Sequence, residues 1–263
     1  FPAGAILTGL VYAWIYPTGG WRWLFYTGAI IAFVVGIYLF FILKESPMWL
    51  EKKGQSLAGV DRVPIVNLFK GAQAWDTVHS ILANSAYLVL YYSIAAWYPT
   101  FLKVQRGFST DRIATVVILL NVAAVLGSII FGRLSDFMGR RWIITISAVG
   151  TMVGAPLFVA VHGTGALVTG AVIIGFCGPG GAWSVNAAYT AEHFPTKMRA
   201  AGHGFTYNAG NALGGIVTPI LVGLFSVKYG FGSVMTIGVL ISSVALIVLA
   251  WIWRETKDMD FSR

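Results

Sequence analysis

Residues 132–141 read Gly-Arg-Leu-Ser-Asp-Phe-Met-Gly-Arg-Arg, a charged stretch in a chain that is otherwise strongly apolar. Four charged side chains and two glycines lie here between two long apolar runs. A short charged segment in such a position is typical of a loop that joins two membrane helices. A plain basic connector is the simpler interpretation, but it does not require this spacing of the aspartate, the glycines and the paired arginines.

The composition of the chain indicates a membrane protein. Hydrophobic residues make up 57% of it and charged residues 11%, with a mean hydropathy of +0.76. Soluble domains carry about 25% charged residues, so we predict an all-α integral membrane protein surrounded by the lipid bilayer. The net charge of +8 indicates topology and not binding to nucleic acid. The single cysteine, Cys177, lies in an apolar run and allows no disulfide framework.

Eight segments of the chain are long and apolar enough to be membrane-spanning helices. Such a helix needs about 20 mostly apolar residues, and it tolerates the glycines and prolines that recur here. The predicted spans are residues 1–16, 21–43, 76–102, 110–131, 142–161, 164–189, 200–226 and 231–253.

A repeat relates the second span to the eighth. Each copy starts with a glycine, runs apolar for the thickness of a bilayer, and ends in a basic, an acidic and a hydroxyl residue. The copies are six spans apart, an even number, so both cross the membrane in the same direction. At an offset of 210 residues, Gly20, Gly28, Lys44, Glu45 and Ser46 align with Gly230, Gly238, Arg254, Glu255 and Thr256.

Lys and Arg are distributed unevenly between the two sides of the membrane. The side that holds residues 132–141 carries 13 of them, and the other side carries 5. The positive-inside rule therefore predicts that residues 132–141 and the carboxyl-terminal tail are cytoplasmic. The same side holds residues 44–75, the one long connector between predicted spans.

Several stretches resemble transporter motifs. Residues 132–141 resemble the signature loop G-x-L-x-D-x-x-G-R-R of the major facilitator superfamily. Residues 192–202 resemble the element E-x-F-P-T-x-x-R-x-x-G of its aromatic-acid, metabolite and sialate or carboxylate proton symporters. Residues 44–50 and 254–257 resemble sugar-porter elements in weakened form, but the third span lacks the Gln-Gln pair of the sugar carriers.

The resemblance implies the major facilitator fold, with two parallel repeats of six helices. The chain then contains the last two helices of the amino-terminal half and the whole carboxyl-terminal half, and we expect four amino-terminal helices to be missing. The expected domains are the end of the first half (1–43), a cytoplasmic loop (44–75), the second half (76–253) and a cytoplasmic tail (254–263).

The charged residues near the cytoplasmic ends are candidates for a gate. We expect a charge cluster that holds one conformation shut and breaks when the halves move. Arg199 opposes the dipole at a helix N-terminus and so requires a carboxylate, Asp136 or Glu192. Two glycines would permit close approach of helices. The predicted gate consists of Gly132, Asp136, Gly139, Arg140, Arg141, Glu192 and Arg199.

Polar side chains inside the spans are candidates for the substrate cavity, which we expect near the midplane between the halves. Such side chains are costly in a membrane unless they are used or satisfied. Asn and Tyr donate hydrogen bonds to a carboxylate or a hydroxyl, and Trp offers a stacking wall. The alternative is that they join neighbouring helices. The candidates are Asn84, Tyr87, Tyr91, Asn121, Trp183, Asn186, Asn208 and Asn211, of which Asn84 and Asn211 are favoured.

No acidic or basic residue lies in the middle of a predicted span. Asp76 is expected to cap the helix of the third span, with His79 on the surface beside it. His203 is a weaker candidate for handling protons. Residues 175–181 are as rich in glycine as a phosphate-binding loop but lack the following Lys, so we expect a kink in a cavity-lining helix.

We therefore predict a secondary active transporter in the plasma (inner) membrane. It would import a small organic acid, a carboxylate or an aromatic acid, together with protons, and act as a monomer. The sequence has no metal-ligand spacing and no nucleophile–base pair, so we expect no metal, no cofactor and no enzymatic activity. Three alternatives remain open: a sugar or polyol porter, a proton-antiport exporter, and a non-transporting nutrient sensor.

Overall fold

The computed structural model describes residues 2–44, 65–161 and 163–257 of the 263-residue chain. These residues form two units. Residues 7–44 belong to one, and residues 2–6 with those from 65 onward belong to the other. Most of the predicted connector, including its sugar-porter-like element, and the end of the tail lie outside the described residues.

The first helix, α1 (Pro2–Phe41), bends at Gly20, where φ is 67°. Only glycine adopts such a φ readily, and the bend falls between the predicted spans 1–16 and 21–43. Gly230, which the repeat aligns with Gly20, also has a positive φ, of 78°. Both aligned glycines therefore mark a change of chain direction before a long apolar helix.

The larger unit consists of helices, and no strand occurs among its described residues. A 3₁₀ turn (Ile65–Phe69) precedes them, and π-helical turns at Gly178–Ala182 and Asn211–Ile216 join α6 to α7 and α8 to α9. The helices are α2 (Ala72–Ala95), α3 (Tyr98–Val104), α4 (Thr110–Met138), α5 (Arg140–Val159), α6 (Thr164–Cys177), α7 (Trp183–Glu192), α8 (Arg199–Gly210), α9 (Val217–Tyr229) and α10 (Phe231–Ile252).

Six helical segments of the described chain are long and apolar enough to cross a bilayer, fewer than the eight predicted. The predicted span 76–102 is divided into α2 and α3, since Pro99 at the start of α3 favours a new helix. At 24 residues α2 is long enough to cross a bilayer, but its polar residues make it less apolar than the six segments. The six segments are Gly19–Phe41, Thr110–Met138, Arg140–Val159, Thr164–Glu192, Arg199–Tyr229 and Phe231–Ile252.

Glycines allow the closest helix crossings in the larger unit. Helix α10 packs against α2 and α5, α6 against α4 and α5, and α8 against α2. A Cβ atom on Gly175 would lie 2.1 Å from the Leu120 carbonyl oxygen, and one on Gly214 would lie 2.4 Å from that of Ser85. Backbone therefore touches backbone where α6 crosses α4 and where the π turn after α8 crosses α2.

Candidate functional site

A polar and aromatic cluster lies inside the larger unit, where α2 faces α7. Asn186 Nδ2 donates a hydrogen bond of 2.7 Å to Asn84 Oδ1, and both side chains are buried. The ring of Tyr87 meets the ring of Trp183 edge-on, with centroids 5.1 Å apart. Each helix contributes two residues spaced i, i+3, which places them on one helix face. The structure thus brings four of the predicted cavity residues together.

Two polar atoms of this cluster have no hydrogen-bond partner among the described residues: Asn84 Nδ2 and the Tyr87 hydroxyl. The two side chains are 0% and 1% exposed. An unsatisfied buried polar atom costs on the order of 1–3 kcal/mol, and native proteins keep few of them. Both groups can donate hydrogen bonds, which is what a carboxylate ligand requires.

Further aromatic rings extend the cluster. The Tyr91 ring, also predicted, lies 5.7 Å from that of Trp183 and 5.0 Å from that of Tyr92. Tyr207 on α8 faces Trp183 edge-on at 6.4 Å. Sequence reasoning missed Tyr92 and Tyr207. The available signal for Tyr207 was its position four residues after His203, on the same helix face.

Asn121 lies elsewhere in the bundle. Its Nδ2 donates a hydrogen bond of 2.8 Å to the Val117 carbonyl of its own helix. A cavity of about 130 Å³ lies beside it, slightly smaller than the cavity of about 150 Å³ that is known to hold benzene. The lining includes Leu90, Tyr91, Ile94, Tyr98, Leu120, Asn121, Ile174 and Pro179.

The two candidates that follow Tyr207 make their described contacts within their own helical segment. Asn208 is exposed and donates a hydrogen bond of 2.7 Å to the Gly204 carbonyl. Asn211 begins the second π turn. A Cβ atom added to Gly215 would lie 2.0 Å from Asn211 Oδ1. Neither residue is part of the Asn84–Trp183 cluster.

At the other end of α4, Arg140 connects two carboxylates. Its Nη1 lies 2.6 Å from Asp136 Oδ1, and its Nη2 and Nε donate to the two oxygens of Glu192 at 3.1 and 3.4 Å. The Glu192 side chain is 16% exposed, whereas that of Asp136 is 65% exposed. Three of the predicted gate residues are thus in direct contact. We call this region, with Asp76 and residues 253–257, the charged end.

Glu255 reaches the N-terminus of α5, a contact that sequence reasoning missed. Its carboxylate accepts hydrogen bonds from the backbone N–H groups of Arg140 and Arg141 at 3.0 and 3.1 Å, and from those of Thr256 and Lys257. Burial raises the pKa of Glu255, but these four donors outweigh burial and hold the pKa below its ordinary value. The helix dipole favours a carboxylate at this position.

The two glycines of the charged stretch differ in their surroundings. A Cβ atom on Gly132 would meet nothing within 4 Å among the described residues, so none of the described helices approaches closely at this position. Gly139 has a φ of 94°, and a Cβ atom there would lie 2.9 Å from Glu255 Oε2. Gly139 therefore makes a turn between α4 and α5 and leaves room for a side chain, not for a helix.

The other two predicted gate arginines have different surroundings. The Arg141 side chain interacts with the hydroxyl group of Tyr189. Arg199 is the first residue of α8 and is half-buried. Among the described residues, the carboxylates of Asp136 and Glu192 both pair with Arg140.

Asp76 does not cap a helix, and that prediction is wrong. Helix α2 begins at Ala72, and Asp76 lies one turn inside it, 6% exposed. Its Oδ1 accepts a hydrogen bond of 2.9 Å from Trp253 Nε1, and its Oδ2 accepts one of 3.1 Å from Arg254 Nη2. These bonds tie the start of α2 to the end of α10.

Two buried histidines contact the indole ring of Trp253. His79, expected on the surface, is 2% exposed, and its Nε2 lies 2.9 Å from the Leu249 carbonyl oxygen. Its ring centroid is 4.4 Å from that of Trp253, and the His193 ring stacks on the same indole at 3.3 Å. Burial lowers the pKa of His193 to about 4.

The described residues contain no group of three or more His, Cys, Asp or Glu side chains that could hold a metal ion. His203, the weaker candidate for handling protons, is half-buried, and its Nδ1 lies 3.0 Å from Thr190 Oγ1. Chemically, the larger unit therefore offers hydrogen-bond donors and aromatic rings in its interior, and ion pairs at the charged end.

The sequence matches the model of the Major Facilitator Superfamily over residues 1–127 and again over residues 109–263. The chain belongs to this superfamily. Its helical architecture and its multiple membrane spans are those of a major facilitator protein, as predicted. It is a multi-pass integral membrane protein.

This major facilitator chain is similar to several proteins named as transporters. The cis,cis-muconate transport protein of Acinetobacter baylyi is 28% identical over 227 residues, 85% of this chain and 54% of the relative. A putative niacin/nicotinamide transporter of Bacillus subtilis is 27% identical over 274 residues, 98% and 63% respectively. The gallate transporter of Pseudomonas putida is 25% identical over 257 residues, 85% and 57%. The chain thus spans little more than half of the length of these relatives.

Proposed function

We propose that this major facilitator protein is a secondary active transporter that takes up a small organic acid together with protons by alternating access. The observation that carries the proposal is a pair of buried donors beside the Trp183 ring, Asn84 Nδ2 and the Tyr87 hydroxyl, which have no hydrogen-bond partner in the described part of the chain. In an apolar bundle such donors suit an anionic oxygen. The names of the relatives, which include transporters of cis,cis-muconate and gallate, support an acid as the substrate.

The size of the neighbouring cavity favours a compact substrate. Tyr91 contacts Trp183 and also lines the cavity of about 130 Å³, so one molecule can reach both places. Its carboxylate would meet the donors, and its apolar body would lie beside Tyr91. A cavity close to the size of one that holds benzene suits an acid with a small apolar body.

The charged end is proposed to be the cytoplasmic gate. It joins segments far apart in the sequence, because Arg140 pairs with Glu192 and Glu255 bonds the N-terminus of α5. When the halves of a major facilitator protein rock, such contacts at one membrane face must break and re-form. The excess of Lys and Arg on this side supports its placement in the cytoplasm.

The test uses the full-length protein in proteoliposomes and compares uptake of gallate, cis,cis-muconate, glucose and a cationic drug. We expect saturable uptake of an acid. Tyr87→Phe should raise the KM for that acid because it removes only the donor, whereas Tyr229→Phe, at an exposed position, should not. Uptake of glucose alone would contradict the proposal in favour of a sugar porter, and no uptake at all would favour a sensor.

A further inference from the structure

The hydrogen bond between Asn186 and Asn84 fixes the direction in which the Asn84 amide faces. Asn186 Nδ2 donates to Asn84 Oδ1 at 2.7 Å, so the acceptor end of Asn84 is used. Its Nδ2 is left without a partner among the described residues, as is the hydroxyl of Tyr87, one turn further along α2. A Cβ atom on Gly210 would lie 2.6 Å from Asn84 Cβ, so α8 packs directly against Asn84.

We propose that Asn186 is a positioning residue that turns the N–H groups of Asn84 towards the ligand, so that this subsite binds an ionised carboxylate more tightly than the corresponding primary amide. A carboxylate carries only acceptors and can use every N–H and O–H offered. A primary amide has one acceptor, its carbonyl oxygen, so when that oxygen bonds Asn84 the amide N–H can only donate to the Tyr87 oxygen, and the Tyr87 O–H is left as an unpaired buried donor. The carboxylate is that of the proposed transport substrate, and the role of Asn186 therefore rests on the proposed function.

Trp183 controls access to these donors. Asn84 and Tyr87 are almost fully covered, and the half-buried Trp183 ring packs edge-on against Tyr87. Trp183 is the first residue after the π turn Gly178–Ala182, and π turns within helices are frequent at functional sites. A substrate reaches the donors when the Trp183 ring moves aside.

The experiment measures binding of two acids and of their amides to the full-length protein in detergent. Benzoate is compared with benzamide, and nicotinate with nicotinamide, by competition against a radiolabelled acid that the protein transports. We expect the wild-type protein to bind the acid at least about 10-fold more tightly than its amide, a difference of about 1.4 kcal/mol.

Two substitutions at one position separate the polarity of the subsite from its packing. Asn186→Ala removes the donor that holds Asn84 and adds no charge, so the ratio of acid to amide affinity should fall towards 1. In Asn186→Asp the new carboxylate only accepts hydrogen bonds. Asn84 should therefore turn its Nδ2 towards this carboxylate and present its Oδ1 to the ligand. The ratio should then fall below 1. Size-exclusion profiles verify that each variant is folded.

The outcomes are distinguishable. Equal affinity for acid and amide in the wild-type protein, or a wild-type ratio in Asn186→Ala, would overturn the role of Asn186 and leave acid transport standing. A purely structural role would weaken acid and amide alike and keep the ratio constant. Binding of no acid at all would overturn the proposed function itself.

Discussion

Removing the charge of Glu192 tests how the charged end is held together. Its carboxylate accepts hydrogen bonds from Arg140 at 3.1 and 3.4 Å and from the Thr256 hydroxyl at 2.5 Å, and its side chain is only 16% exposed. Hydrogen bonds to a charged group contribute about 1.5–3 kcal/mol. At about 1.4 kcal/mol per factor of ten, we expect Glu192→Gln to increase the population of the open form by about 10- to 150-fold.

Asp136→Asn is the matched control, because Asp136 pairs with the same arginine but is 65% exposed. An exposed ion pair contributes about 0–1 kcal/mol, so we expect at most about a fivefold effect from this variant. The geometry thus ranks Glu192 above Asp136, although both carboxylates bond Arg140.

Hydrogen–deuterium exchange followed by mass spectrometry measures both effects on the full-length protein. Peptides that cover residues 192–199 and 253–257 report opening of the charged end, since exchange of their amides follows the population of the locally open form. In Glu192→Gln both peptides should exchange faster by about 10- to 150-fold. Equal acceleration in the two variants, or none in Glu192→Gln, would refute the reasoning.

Three further predictions concern stability. Gly139→Ala forces a non-glycine residue to a φ of 94° and into a neighbouring carboxylate; it should cost about 1–3 kcal/mol and lower the Tm by several degrees. Gly132→Ala, which has open space around it in the described part of the chain, should leave the Tm unchanged. Equal Tm values for Gly139→Ala and Gly132→Ala would contradict this account. Gly175→Ala places a methyl group 2.1 Å from a carbonyl oxygen of α4 and should destabilise by about 1–3 kcal/mol. Gly165→Ala, on the same helix with nothing within 4 Å, should be neutral in the same melting assay, and a similar loss there would argue against tight packing of α6. Burial lowers the pKa of His193 to about 4 from its ordinary value of about 6.5. Between these two pH values the unfolded chain therefore binds more protons than the folded chain. Stability should therefore be complete above pH 6.5 and fall by about 1.4 kcal/mol per pH unit towards pH 4. His193→Phe should flatten this part of the Tm profile, and an unchanged slope would show that other groups are responsible.

The fold could be predicted because a membrane helix is specified by local composition. Long apolar runs correctly predicted six membrane-spanning segments among the described residues, and the glycine at position 20 marked the bend in α1. Local signals were less decisive elsewhere. Pro99 lies inside an apolar run, yet it starts a separate helix. The π turns depend on how α6 and α8 pack against α4 and α2, which single-sequence periodicity does not contain.

The candidate site was predictable in part. Spacing of i, i+3 placed Asn84 with Tyr87 and Trp183 with Asn186, but the sequence does not say that these two helix faces meet. Asp76 looked like a cap because an aspartate at the start of an apolar run usually is one. Its true partner, Trp253, lies 177 residues away, and a contact over such a separation leaves no local trace.

Proton-coupled acid uptake is tested most directly by the internal pH of proteoliposomes that contain the full-length protein and a pH-sensitive dye. cis,cis-Muconate and gallate are added outside, and protein-free liposomes measure passive leak. We predict that one of these acids acidifies the interior only when the protein is present, and that a protonophore abolishes the signal. Uptake of the labelled acid without any change in internal pH would contradict proton coupling, and absence of uptake would contradict acid transport.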